Sequence, residues 1–333
     1  MQPVEQGDLI ARLRAAKQLR DEGRLELAEA ALRALLAERP DFLQTRYELA
    51  VAWYHLGRFE DAIEGFAQVA AVSPIGLKSD EFYHALLALP DPNRAIAILQ
   101  PLLPLMSGSL KLIEVYGRLT RKAAIAAGLP VGDVEVIGDS HAVTNFSMIP
   151  RCRVHWCGPT TMAHVTRHPI DLAALGITPG AKFVAVFGEI DCRCHLIDMA
   201  RRMNTTVPAL ARRIARAFAR SLRRTLERGD AAQAAICAVL PAPRAFPNNI
   251  DFPVVGSAAE RRDAALGLNR ALADAAADDG LSFLDICPPY CDAEGYLDAA
   301  MSDVDVHIDF RRTAPIATLL TDLFGPEPPG LTA

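Results

Sequence analysis

From residue 131 onward the chain keeps one alternation: a short run rich in β-branched residues, then a longer stretch with helical spacing. The runs fall near 133–138, 151–157, 182–188, 234–240 and 282–287, and the strongest helical patterns cover Val207–Gly229 and Ser257–Asp279. Strands separated by helices cannot pair as tight hairpins, and the connections are long enough for parallel crossovers. The pattern therefore predicts a parallel sheet with helices on both faces. Right-handed crossovers then give a doubly wound three-layer sandwich, with the carboxyl ends of the strands along one edge, where ligands bind.

The first of these runs is Val134-Glu135-Val136-Ile137-Gly138-Asp139-Ser140-His141. It reads as a buried strand that breaks at Gly-Asp-Ser and presents Ser140 at its tip. A serine held there is a nucleophile if a base and oxyanion donors converge on it. Gly-Asp-Ser alone also makes an ordinary turn and helix cap. Three further stretches follow in order: Arg153-Val154-His155-Trp156-Cys157-Gly158-Pro159, then Phe183-Val184-Ala185-Val186-Phe187-Gly188-Glu189-Ile190-Asp191, then Asp303-Val304-Asp305-Val306-His307 ahead of a closing helix.

This ordered set resembles the four blocks of the SGNH, or GDSL-like, hydrolase family. It is most similar to bacterial members whose third block reads Gly-Glu-Ile-Asp-Cys-Arg, as residues 188–193 do here. The resemblance covers about residues 131–325 and implies a flavodoxin-like sandwich and a serine esterase. Ser140 then attacks an acyl carbonyl, and His307 takes its proton. The family places an Asp three residues before the His, where this chain has Val304. Asp305 and Asp303 flank that position; Asp305 is taken as the orienting carboxylate, Asp303 as the second choice, and a Ser-His dyad as the third.

The resemblance also implies an oxyanion hole made by the Ser140 and Gly158 backbone N–H groups and a third-block Asn. Ile190 stands at the Asn position and has no donor, a loss that lowers turnover by about 10²–10³-fold in such sites. Arg193, after the same strand tip, is the candidate substitute because a guanidinium offers several fixed donors, although it could instead pair with Glu189 or Asp191. Asp191 is expected to fix the Ser140 loop, and His141 to be a bystander. Arg244, Phe246 and Asn248, in the loop after the fourth strand, are expected to overhang the site and touch substrate.

Ahead of this region, residues 1–126 read as helices with a 34-residue period. Ala16, Leu19, Gly23, Leu25, Ala28, Leu32 and Pro40 recur as Ala50, Trp53, Gly57, Phe59, Ala62, Phe66 and Pro74. Small residues let paired helices approach, Gly ends the first helix of each pair and Pro closes the second. The pattern resembles tetratricopeptide repeats and implies a surface for a protein or peptide partner. A third unit, from Asp80 to Leu105, replaces the Gly with Pro90-Asp91-Pro92.

Composition narrows the function classes. A charge of -5 over 333 residues gives no general attraction for nucleic acid or anionic membrane. The first residues lack the apolar segment of a signal peptide, and no apolar run is long enough to span a bilayer, so the cytoplasm is the expected compartment. Seven cysteines, an odd number, argue for free thiols over a disulfide framework. Cys157, Cys192, Cys194, Cys287 and Cys291 fall near strand tips beside His195, which supports a rival metal or redox reading, but their spacings match no standard zinc site. The arginines of Val207–Gly229 are expected to form a solvated face paired with local acids. No dinucleotide fingerprint, Walker loop or His-Glu-x-x-His is present.

The sequence thus points to a helical-repeat domain followed by a hydrolase domain that removes an O-acyl group from a small-molecule, peptide or saccharide ester, without cofactor or metal. O-acyl transfer to a hydroxyl acceptor and a catalytically weak or metal-binding module are the alternatives.

Overall fold

The computed structural model describes residues 3–73, 79–105, 109–129, 131–229, 233–245, 253–303 and 306–326. The chain divides into two compact units, Met1–Ala123 and Ala124–Ala333.

The first unit is helical. Helices α1 (Pro3–Asp21), α2 (Leu25–Glu38), α3 (Leu43–His55) and α4 (Phe59–Ala70) form two antiparallel pairs that follow the 34-residue repeat. Gly23 and Gly57 end α1 and α3 with φ of +77° and +73°, a conformation that glycine adopts without a Cβ clash. The recurring small residues Ala16, Ala28, Ala50 and Ala62 are fully buried, so the helix axes approach, and Leu32 and Phe66 fill the space between pairs. Glu48, buried on α3, meets both Lys17 and Arg20 of α1. In the third pair, α5 (Asp80–Ala88) and α6 (Pro92–Leu99), Asp91 replaces the glycine device: its carboxylate caps Asn93 N–H at 2.9 Å, with Pro92 in the first turn. A 3₁₀ segment (Gln100–Leu105) and α7 (Leu110–Ala126) follow.

The second unit is α/β. Its elements run β1 (Val134–Gly138), α8 (Ser140–Phe146), β2 (Cys152–Trp156), α9 (Met162–Arg167), β3 (Lys182–Val186), a π-helical turn (Asp191–His195), α10 (Leu196–Arg202), α11 (Val207–Gly229), β4 (Gln233–Cys237), α12 (Ala258–Asp278), β5 (Ser282–Leu284) and α13 (Ala314–Phe324). All five strands are parallel, in the order β2-β1-β3-β4-β5. The order reverses between β1 and β3, so a crevice opens beyond their carboxyl ends.

Alternation along the strands feeds two cores. Val134, Val136, Val184 and Val186 point to the side covered by Ala142 and Phe146 of α8 and Ile316 and Leu320 of α13. Ile137, Phe183, Ala185 and Ile236 face Phe218 and Leu222 of α11 and Leu268 and Leu272 of α12. Each of the larger buried side chains contributes about 1.5–3 kcal/mol relative to exposure.

Two strands stop earlier than their apolar runs suggest. The Asp285 carboxylate accepts the Cys287 N–H at 3.0 Å and turns the chain just after β5. Beyond β4, the Asn269 side chain takes both the N–H and the carbonyl of Val239, at 2.8 Å each, in place of a sheet neighbour. Among the described residues no helix is long and apolar enough to cross a membrane.

Candidate active site

The tip of β1 is shaped by a close approach. A Cβ on Gly138 would lie 2.1 Å from the Val186 carbonyl oxygen of β3, so only glycine lets the two strands stay paired there. Asp139 then caps α8, its Oδ1 accepting the His141 N–H at 2.9 Å. That cap turns Ser140 outward at the first position of the helix, half-buried at the mouth of the crevice.

His307 reaches the same point from the far end of the chain. An antiparallel bridge pairs Ser302 with Ile308, and the Asp303 N–H donates to the His307 carbonyl at 3.1 Å. The fold sets the Asp303 and His307 side chains next to each other. His307 Nε2 lies 2.9 Å from Ser140 Oγ, and its Nδ1 lies 3.2 Å from Asp303 Oδ2. Read as a hydrogen-bond chain, the Ser140 hydroxyl donates to Nε2 and Nδ1–H donates to the carboxylate, with the tautomer assigned from the partners. Asp305, the orienting carboxylate expected from the sequence, lies outside the described residues. Asp303 is the carboxylate found at the imidazole.

The two expected backbone donors are both available. Neither the Ser140 nor the Gly158 N–H donates to another group among the described residues. Gly158 turns the chain after β2 at φ +71°, with open space around its Cα. Ile190 is buried and offers no donor.

Arg193 does not extend toward the crevice. It is buried and forms a two-pronged pair with Glu189, Nε to Oε1 at 2.5 Å and a terminal nitrogen to Oε2 at 2.9 Å. Four-residue spacing on helical backbone puts the two residues on one face, and the chain continues into a π-helical turn in which the Leu196 N–H closes on the Asp191 carbonyl. The hydrogen bond of Asp191 likewise serves a different loop from the one expected. Its Oδ2 accepts the Met162 N–H at 2.9 Å, tying the β3 tip to the start of α9 and hence to the loop that carries Gly158.

The electrostatics below Ser140 are unusual. Asp139, Glu189 and Asp191 are buried near one another, and Arg193 pairs with Glu189. Burial, reinforced by Glu189 and Asp191, pushes the Asp139 carboxyl up to about 7, against the opposing hydrogen bond from the His141 N–H. Asp139 Oδ2 is buried without a hydrogen-bond partner, as is His141 Nε2. His141 is not a bystander: its ring packs on His307, centroids 4.7 Å apart, and its Nε2 lies 4.0 Å from Glu189 Oε2. Burial, then the proximity of His307 and Arg193, holds His141 well below the usual imidazole range and therefore neutral. Neighbouring positions in sequence gave no sign of this contact, which exists only because the last block folds back over α8.

Among the loop residues, Arg244 pairs with Asp292 at 3.3 Å and Glu294 at 2.7 Å and lies 4.4 Å from the Tyr296 ring centroid. Phe246 and Asn248 lie outside the described residues. All seven cysteines are free thiols, and among the described residues no three His, Cys, Asp or Glu side chains converge as metal ligands.

Residues 19–74 match the family model described as Tetratricopeptide repeat. No curated protein matches the chain. Among solved structures, a Streptococcus pneumonia protein assigned as a platelet activating factor is 12% identical, with a TM-score of 0.42 over 69% of this chain and 98% of its own. An α/β hydrolase enzyme, LAE5, from the metagenome of Lake Arreo is 14% identical, with a TM-score of 0.37 over 60% and 97%. An extracellular lipase from Streptomyces rimosus is 15% identical, with a TM-score of 0.33 over 58% and 99%. Likenesses this distant assign neither activity nor substrate to this chain.

Proposed function

We propose that the chain is a serine ester hydrolase of the SGNH, or GDSL-like, type, which removes an O-acyl group through an acyl-Ser140 intermediate. The observation that carries the reading is the hydrogen-bond chain from Ser140 through His307 to Asp303, at 2.9 and 3.2 Å. Distances in this range suit proton transfer from a serine hydroxyl to an imidazole whose other nitrogen is held by a carboxylate.

Ser140 Oγ attacks the ester carbonyl while its proton passes to His307 Nε2, and Asp303 steadies the imidazolium. The carbonyl oxygen becomes an oxyanion that the free Ser140 and Gly158 N–H groups can receive. Collapse breaks the bond to the alcohol, which leaves with the proton returned by His307. Water, activated by the same imidazole, then releases the acid and restores Ser140. With Ile190 in the Asn position and Arg193 held by Glu189, the hole has two donors, and turnover should be modest. The repeats recruit a protein or peptide partner, a reading supported by the match over residues 19–74.

The test is turnover of short nitrophenyl esters. The wild-type chain should hydrolyse them, and Ser140→Ala and His307→Ala should each lose at least about 10³-fold. Unchanged turnover in His307→Ala would refute the reading.

A further inference from the structure

The segment after β5 carries two thiols that the candidate hydrolase site does not use. Residues 287–291 read Cys-Pro-Pro-Tyr-Cys. The Asp285 carboxylate starts a turn by accepting the Cys287 N–H at 3.0 Å, and the Cys291 N–H closes it on the Cys287 carbonyl at 3.0 Å. A bond across four residues is the helical one, so both side chains leave the same face of a single turn. The thiols meet there, in hydrogen-bond contact with each other. The turn is also held from outside: the Tyr290 hydroxyl donates to the Arg312 carbonyl at 2.6 Å, the Asp298 N–H donates to the Tyr290 carbonyl at 2.9 Å, and Cys291 bridges to Leu297.

The two sulfurs are not equivalent. Cys287 is buried, with the Asn269 amide nitrogen and the Val239 carbonyl oxygen each 3.4 Å from its Sγ. Cys291 is half-buried, so water and small reagents reach it. Contact with the Cys287 thiol lowers the Cys291 thiol from its usual value, against burial and the nearby Asp285 and Asp292 carboxylates. The same contact, with burial, pushes Cys287 well up. Cys291 is therefore the thiol that ionises, and the thiolate is the nucleophilic form. Cys157 is exposed at the tip of β2, but desolvation of its thiol and the nearby Asp139 raise it.

A bridge between the two is within reach but tight. Four residues of helical backbone rise about 6 Å, inside the span of about 4.4–6.8 Å between Cα atoms that a disulfide crosses. Side chains at that spacing start about 5–6 Å apart at Cβ, wider than the roughly 3.5–4.5 Å of a relaxed disulfide. The clamped turn must tighten to close the bond. A disulfide strained in this way is readily reduced, which suits a reversible site over a structural staple. The rival partner for Cys287 is Cys237 of β4, whose charge would reach it. Cys237 is buried and its thiol is pushed far up, so it does not ionise.

We propose that Cys287 and Cys291 are a reversible redox pair for hydroperoxides, with Cys291 as the attacking thiol and Cys287 as the resolving one. The Cys291 thiolate attacks one peroxide oxygen, the O–O bond breaks and hydroxide leaves, giving a sulfenic acid. The Cys287 sulfur then attacks the Cys291 sulfur, the S–O bond breaks, and the hydroxyl departs as water with the Cys287 proton. The proton released earlier by Cys291 neutralises the hydroxide, so two thiols and one peroxide give one disulfide and two waters. A dithiol reductant reverses the change by exchange. The assignment stands apart from the ester hydrolase reading and does not depend on it.

The test treats the full, reduced chain with near-equimolar hydrogen peroxide, then alkylates free thiols and maps them by mass spectrometry. Trypsin leaves both cysteines in one peptide, residues 271–311. Oxidation should leave that peptide unalkylated and lighter by two hydrogens, at least about tenfold faster than Cys157 is modified, and dithiothreitol should restore both thiols. Cys287→Ser should stop at a sulfenic acid on Cys291 that dimedone traps, Cys291→Ser should leave Cys287 reduced, and Cys157→Ser should form the bridge like wild type. If Cys287→Ser fails to fold, iodoacetamide on the reduced wild type gives the order, with Cys291 alkylated at least about tenfold faster than Cys287. A peptide that stays reduced under peroxide, a bridge between Cys237 and Cys287, or a sulfenic acid or alkyl group on Cys287 ahead of Cys291 would each overturn the proposal.

Discussion

His141 and His307 pack ring against ring, with centroids 4.7 Å apart and 48° between their planes. One imidazole touches Ser140 and Asp303; the other is buried, neutral and shut off from both. A charged neighbour would repel the imidazolium that His307 becomes during attack. A neutral ring lets that charge form while limiting how far His307 can swing.

His141→Ala should therefore slow ester turnover by about 10–100-fold, because a base displaced by about an ångström loses its alignment with the serine. His141→Phe keeps the ring packing and should recover most of the loss. Turnover of the two variants, compared at equal folded fraction, checks this; an equal loss in both would place the effect in the nitrogen atoms and not in the packing.

Asp303→Asn should lower turnover by about 10²–10⁴-fold, since the amide cannot stabilise the imidazolium and favours the wrong tautomer. Substrate affinity should change little. The same measurement on Asp305→Asn decides between the two carboxylates flanking Val304. A large loss there, with none in Asp303→Asn, would return the orienting role to Asp305.

Asp139 makes stability depend on pH. Its folded-state value of about 7 lies above the unfolded carboxyl value of about 3.9, so the unfolded chain releases this proton first. Stability should fall as pH rises through that window, by up to about 1.4 kcal/mol per unit, and level off above about pH 7. Asp139→Asn retains a capping side chain and should remove this slope. Denaturant midpoints at about pH 5 and about pH 7 measure it; parallel behaviour of variant and wild type would contradict the buried-acid account.

Gly138→Ala should cost about 3 kcal/mol or more, because the added methyl would meet a carbonyl oxygen of β3 that no rotamer change can move. Gly158→Ala has open space and pays only for its positive φ, about 1–2 kcal/mol. Chemical denaturation of the pair separates close approach from backbone conformation.

Much of this was legible in the chain. The 34-residue repeat works through Ala16, Gly23, Ala50 and Gly57, whose burial or positive φ is a local requirement visible as residue identity. The parallel sheet follows from β-branched runs separated by helical ones, and Ser140 from the glycine break after β1. What the sequence left open is which side chains pair, whether within a few residues or between distant segments. Arg193 was the candidate oxyanion donor with Glu189 or Asp191 as alternative partners, and the pair it forms is with Glu189. Asp303 ranked behind Asp305 by spacing, but the bridge from Ser302 to Ile308 puts residues four apart side by side. The contact of His141 with His307 joins opposite ends of the α/β unit, and no local periodicity encodes it.

The account rests on an activated hydroxyl at Ser140, and a fluorophosphonate probe followed by peptide mass spectrometry reads that directly. The predicted result is a single adduct on the peptide containing Ser140, formed rapidly in wild type and slowed at least about 10²-fold in His307→Ala. An adduct on another residue, or labelling of Ser140 at the same rate without His307, would contradict it.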